Sequence, residues 1–194
     1  MRVVALALLL LLLSACAGQS PVIQVDGTRF HHLDGSPRPF VVLPHADQRV
    51  DTAFATTADQ IGAALAALGW QRQERADGQA AIVRFRHDVD APVQETVLSP
   101  SALPPPGIWG YRRRWDDPFP YWQAQRVVTS LKWLSVTIAD GGDASAAPLF
   151  EGRVTSRRGG AEIGPILPYL VRGMFDGFPG PSGVTQQKAL PVQP

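Results

Sequence analysis

The sequence predicts an α+β domain, a mostly antiparallel sheet of about four to six strands with two helices packed on one face. Three observations carry that expectation. Apolar periodicity runs in the order strand, helix, three or four strands, helix. A helix after the first strand, then a meander and a closing helix, places both helices on the same side of the sheet. The 18 prolines, roughly twice average usage, call for long stiff connections between few regular elements.

Taken in order, Val22 to Gly27 reads as a short edge strand ending in a turn, and Asp34-Gly35-Ser36-Pro37 as a second turn. Phe40-Val41-Val42-Leu43 is the first convincing strand, stopped by Pro44. The best helix spans 57–70. Thr57 and Gln60 have capping-box spacing, Asp59 sits in the first turn, and Ile61, Ala64, Leu65 and Leu68 share one face. Gly69 is placed to take positive φ as the C′ residue, with Trp70 folding back over the last turn. Ala81 to Val89 alternates as a strand, with Val83, Phe85 and Val89 on one face.

Residues 91–122, dense in Pro and aromatics, read as loop. Gln125 to Ala139 is a long strand in which Leu134, Val136 and Ile138 alternate inward, and Asp140-Gly141-Gly142-Asp143 ends it in a turn. Pro148 to Ser156 is its hairpin partner. A last helix runs from about Gly164 to Asp176, with Ile166, Leu170 and Met174 at helical spacing and Gly177 closing it. The tail after Phe178 is turn-rich and reads as mobile from residue 188.

The first residues speak to location. Met1-Arg2 precedes an uncharged apolar run from Val3 to Leu13, shorter than the ~20 residues a membrane-spanning helix needs and of the length of a signal-peptide core. Leu13-Ser14-Ala15-Cys16 resembles the lipobox of bacterial lipoproteins, in which the Cys thiol receives a diacylglycerol and cleavage falls just before it. Cys16 is the only cysteine, so the chain forms no internal disulfide, and lipid attachment accounts for an otherwise exposed thiol. Two or three acyl chains on one residue anchor firmly. Ala17 at the next position, in place of Asp, favours the outer membrane by the same resemblance.

The expected organisation is a leader over 1–15, a lipidated Cys and tether over 16–38, one domain over 39–187, and a mobile tail over 188–194. The 18 basic and 17 acidic residues nearly balance, which argues against a nucleic-acid partner.

Several of these pieces, in this order, resemble the bacterial lipoproteins that carry domain of unknown function 4136. They are the lipobox, the helix ending Leu65-Ala66-Ala67-Leu68-Gly69-Trp70, and the strand Ala81-Ile82-Val83-Arg84-Phe85. After them come the long strand closing at Ile138-Ala139-Asp140 and the partner Leu149-Phe150-Glu151-Gly152-Arg153-Val154. The last is the run Phe178-Pro179-Gly180-Pro181-Ser182-Gly183 after the final helix. The resemblance covers about residues 40–185. It implies an envelope compartment and a fold type, and no activity.

No catalytic constellation stands out. His31 and His32 are adjacent in an extended segment and point to opposite sides, so they do not chelate one ion together; His45 and the His87, Asp88, Asp90 group read as solvated turn and strand-end residues. No Ser sits in a Gly-x-Ser-x-Gly turn, and Asp116 and Asp117 before Pro118 read as turn formers.

The one segment of distinct surface character runs from Trp109 through Tyr111, Arg112, Arg113, Arg114 and Trp115 to Tyr121 and Trp122. Trp, Tyr and Arg are the types enriched in interface hot spots, and they also stack on sugars; packed against a sheet edge, the same residues form cation–π pairs. The expectation is a non-enzymatic, lipid-anchored periplasmic domain, with no cofactor beyond the covalent lipid on Cys16. It would contact another envelope protein through this segment. The alternative is a module binding cell-wall or surface glycan through the same aromatics, and a third reading is a small envelope hydrolase.

Overall fold

A computed structural model describes residues 21–76, 78–101, 121–141, 147–158 and 160–192. The strands are β1 (Val22–His31), β2 (Pro39–Val42), β3 (Gln71–Arg72), β4 (Ala81–Val89), β5 (Val93–Ser101), β6 (Tyr121–Ala139), β7 (Phe150–Arg158) and β8 (Thr185–Pro191). The helices are α1 (Thr52–Ala67), between β2 and β3, and α2 (Leu167–Phe175), between β7 and β8.

The sheet has eight strands in the order β3-β2-β4-β6-β7-β1-β8, with β5 paired to β6 off that path. It is mixed, which corrects the expected mostly antiparallel sheet of four to six strands. Strand β2 runs parallel to both β3 and β4, while the remaining pairs are antiparallel. The reason is the connection through α1, which carries the chain back across the sheet so that it re-enters in the direction of β2.

Three regions depart from expectation, one as a longer, interior strand and two as strands where irregular chain was expected. Residues 22–31, assigned to an edge and a tether, lie inside the sheet between β7 and β8. The tail forms β8, registered on β1 from Thr185 opposite Thr28 to Pro191 opposite Val22. Residues 93–101 form β5.

Helix α1 starts earlier than the capping-box spacing suggested. Asp51 is the N-cap, its carboxylate accepting from the Phe54 amide at 2.9 Å. The apolar stripe runs Phe54, Ala58, Ile61, Leu65, so the turn before Thr57 is already committed to the core. Thr57 is buried within the helix, its hydroxyl donating to the Ala53 carbonyl. At the other end Gly69 takes φ 86°, its amide bonds the Ala66 carbonyl, and the Trp70 amide bonds that of Leu65, a Schellman closure.

Both helices cover one face. Phe54 of α1 stacks on Phe85 of β4 at 4.9 Å, and α2 lies over β1 and β7. Close approach there rests on absent side chains. A Cβ on Gly173 of α2 would stand 2.8 Å from Val25, and one on Gly152 of β7 would stand 2.5 Å from the Met174 sulfur. Arg29, also on the covered face of β1, donates through Nη2 to the carbonyls of Gly173 and Asp176 at the end of α2. The run Phe178–Gly183 then closes the core. Phe178 packs on Trp70, Phe150 and Phe175, and the Gly183 amide bonds the Arg29 carbonyl at 2.7 Å.

Candidate functional site

Strand β6 is much longer than its neighbours. Its second part, Lys132 to Ala139, pairs with β4, while its first part, Tyr121 to Thr129, pairs only with β5. Strand β7 pairs with β6 from Ser130 onward and leaves the first part alone. The β5–β6 pair therefore leaves the sheet as a two-stranded arm about 30 Å long.

The junction has a local cause. Val89 faces Lys132 and Val93 faces Thr129, so the three residues Asp90 to Pro92 stand opposite Ser130 and Leu131. This extra residue is a β-bulge, and Pro92 at the break has no amide to give the ladder. Two side-chain bonds brace the base of the arm. The Trp133 indole N–H donates to Asp90 at 3.0 Å, and Arg157 of β7 reaches Glu95 of β5 at 3.1 Å.

Along β6 the even-numbered positions face the helices. Leu134, Val136 and Ile138 are fully buried there. The same parity continued outward gives the buried polar Lys132 and Ser130, then Val128, Arg126, Ala124 and Trp122, of which Val128 and Trp122 are exposed by 51% and 60%. Across the pair, Leu98 stands opposite Ala124 and Pro100 opposite Trp122. This face thus runs on past the helices with nothing over it among the described residues, its apolar Val128, Leu98 and Trp122 interleaved with Arg126, Gln94 and Thr96. Val93, Val97 and Val127 are exposed on the reverse side. Of the ten large apolar side chains left exposed among the described residues, six belong to this arm. A two-stranded ribbon is marginally stable alone in water, and a clustered exposed apolar surface marks a contact site.

The residues singled out from sequence fall as follows. Trp122 lies on the uncovered face of the arm, and Tyr121 opens β6. Cys16, Trp109, Tyr111, Arg112, Arg113, Arg114 and Trp115 lie outside the described residues. Sequence reasoning missed Leu98, Val128 and the bulge. Their signal was faint, because β5 follows Pro92, contains Pro100 and carries only two apolar residues in succession.

The histidines are dispersed. His31 pairs through Nε2 with the Gly180 carbonyl at 2.8 Å. His87 stands 3.2 Å from the Thr57 hydroxyl and stacks on Phe85. Burial, the largest cause, holds the His87 pKa below its ordinary value, against the opposing charges of Asp88 and Asp51. His45 is lowered by desolvation first and by Arg86 and Arg84 next. Among the described residues no group of His, Cys, Asp and Glu is arranged to hold a metal ion. No helix among them is long and apolar enough to cross a membrane.

No protein-family model matches the chain, and no curated protein does. Among solved structures, a PDZ domain protein from Parabacteroides distasonis aligns at TM-score 0.45 and 10% identity. That alignment covers 90% of this chain and 40% of the other, so the chain spans less than half of that protein. A minor lipoprotein from Acinetobacter baumannii aligns at TM-score 0.29 and 16% identity over 72% of this chain and 84% of its own. At these TM-scores neither likeness carries an argument about fold or function.

Proposed function

We propose that this chain is a lipid-anchored, non-enzymatic accessory domain of the bacterial cell envelope that docks another envelope protein through the β5–β6 arm. The anchor is a lipid on Cys16, and the domain faces the periplasm from the outer membrane. The lipobox-like Leu13-Ser14-Ala15-Cys16 and Ala17 support the anchor and its address, and the ordered pieces shared with the domain 4136 lipoproteins point to the same compartment. The observation that carries the docking role is the cluster of exposed apolar side chains on the arm, with Val128, Trp122 and Leu98 on the face that continues the helix-covered side of the sheet. An envelope protein with an apolar strand or helix of its own would complete that layer.

The test is a double variant, Leu98→Ser with Val128→Ser, in the full lipidated chain. Both side chains are more than half exposed, so thermal stability stays within about 0.5 kcal/mol of the parent. Their burial against a partner contributes about 2 kcal/mol together, so the partner's Kd rises about thirtyfold and co-purification from solubilised envelopes is lost. Undiminished co-purification would sink the arm as the docking surface.

A further inference from the structure

The face of the sheet opposite the helices carries no covering layer among the described residues, and it holds a hollow of about 460 Å³. Its floor is a grid read from the strand registers. Across β8, β1, β7, β6 and β4 one row is Thr185, Thr28, Arg153, Ser135, Arg86. On one side of it stand Asp26, Thr155 and Trp133, and on the other Phe30, Glu151 and Thr137.

The hollow exists because Arg153 does not stand over its own row. Its guanidinium lies on the Trp133 ring at 4.5 Å, and that ring is held in turn by Asp90. Space is left above the short side chains of Thr28 and Ser135. Phe30, exposed by 58%, forms the wall on the other side.

The chemistry of the lining selects its occupant. Asp26, Ser135, Thr137, Glu151 and Thr155 make no side-chain hydrogen bond or ion pair within the described structure. They offer hydroxyls that both donate and accept, and carboxylates that accept in pairs. The Phe30 ring, more than half exposed, offers apolar contact. The two carboxylates outnumber the one guanidinium, so the hollow disfavours an anion. A protein interface would want an apolar centre, and the lining of this hollow has one aromatic ring amid hydroxyls and carboxylates.

We propose that this hollow binds a short neutral oligosaccharide, with a sugar ring against Phe30 and its hydroxyls on Glu151, Thr155, Ser135 and Asp26. The site is separate from the arm, and it stands or falls independently of the docking reading.

The test uses the full mature chain carrying Cys16→Ser, which avoids sugar-headed detergents. Chitotetraose, cellotetraose and maltotetraose are titrated while nuclear magnetic resonance follows the Trp133 indole N–H. The anionic probe is oligosialic acid. The expected result is saturable binding of at least one neutral tetrasaccharide, weakened at least tenfold by Phe30→Ala and by Glu151→Gln, and unchanged by Leu98→Ser on the arm. Circular dichroism shows that the variants keep the fold. Binding of none of the three neutral probes overturns the proposal. So does preference for the anionic probe, binding that survives both hollow variants, or binding that only Leu98→Ser removes.

Discussion

Gly173 and Gly62 both lie inside helices, and the same substitution moves stability in opposite directions at the two positions. Alanine gains about 1 kcal/mol of helix propensity over glycine at either. At Gly173 the new Cβ stands 2.8 Å from Val25 Cγ2 and 3.2 Å from Val154 Cγ1. Both valines are buried and β-branched, with no alternative rotamer to retreat into. Helix α2 must lift from β1 and β7, and overpacking of this kind costs about 1–3 kcal/mol.

At Gly62 the nearest atoms are Arg72 Nη1 at 3.0 Å and Cδ at 3.3 Å, the far part of a half-exposed flexible side chain. Arg72 can swing aside at the expense of its 2.8 Å contact with Asp59, an exposed pair that contributes about 0–1 kcal/mol. Gly173→Ala therefore loses about 1 kcal/mol, within a range of about 0–2, and about 2–4 °C in Tm, while Gly62→Ala gains about 0.5 kcal/mol and about 1–2 °C. The assay is urea and thermal unfolding followed by both tryptophan fluorescence and circular dichroism, with coincident transitions as the condition for comparing free energies. If Gly173→Ala stabilises as Gly62→Ala does, the close approach of α2 to the sheet is wrong.

Two further outcomes follow from particular residues. The lowered pKa of His87 means that the unfolded chain takes up a proton at higher pH than the folded one, so this contribution is fully present above about pH 6.5. It is lost as the pH falls from there toward the folded value and is level below it. His87→Gln flattens that part of the stability–pH curve; His45 shifts the same way, so the difference between parent and variant is the quantity to measure. Cys16→Ser moves the domain from the membrane to the soluble fraction on cell fractionation, and continued membrane retention would contradict the lipid anchor.

The sequence made some of this architecture legible and hid the rest for identifiable reasons. The end of α1 was readable because Leu68-Gly69-Trp70 satisfies a local rule that no distant contact overrides. The same holds for the inward alternation of Leu134, Val136 and Ile138. Strand β1 was obscured because its covered positions after Val25 are Gly27 and Arg29, where an apolar alternation would continue. Gly27 is there because a Cβ would stand 3.3 Å from Val154, and Arg29 is there to bond the end of α2.

Strand β8 buries only Leu190 and takes its order from its ladder with β1. The parallel pairing of β2 is a property of the connection through α1, which no residue pattern reports. Trp122 was picked out by residue type. Leu98 and Val128, which share its face, become visible only once the register across the bulge at Asp90–Pro92 is known.

The most direct test of the docking role is in-cell photo-crosslinking from three positions of the lipidated chain, Leu98, Trp122 and Val50. Val50 is 66% exposed and is not part of the arm, standing just before the Asp51 N-cap of α1. The account predicts one discrete adduct, the same from positions 98 and 122, and none from position 50. No adduct from either arm position, or the same adduct from position 50, would contradict it.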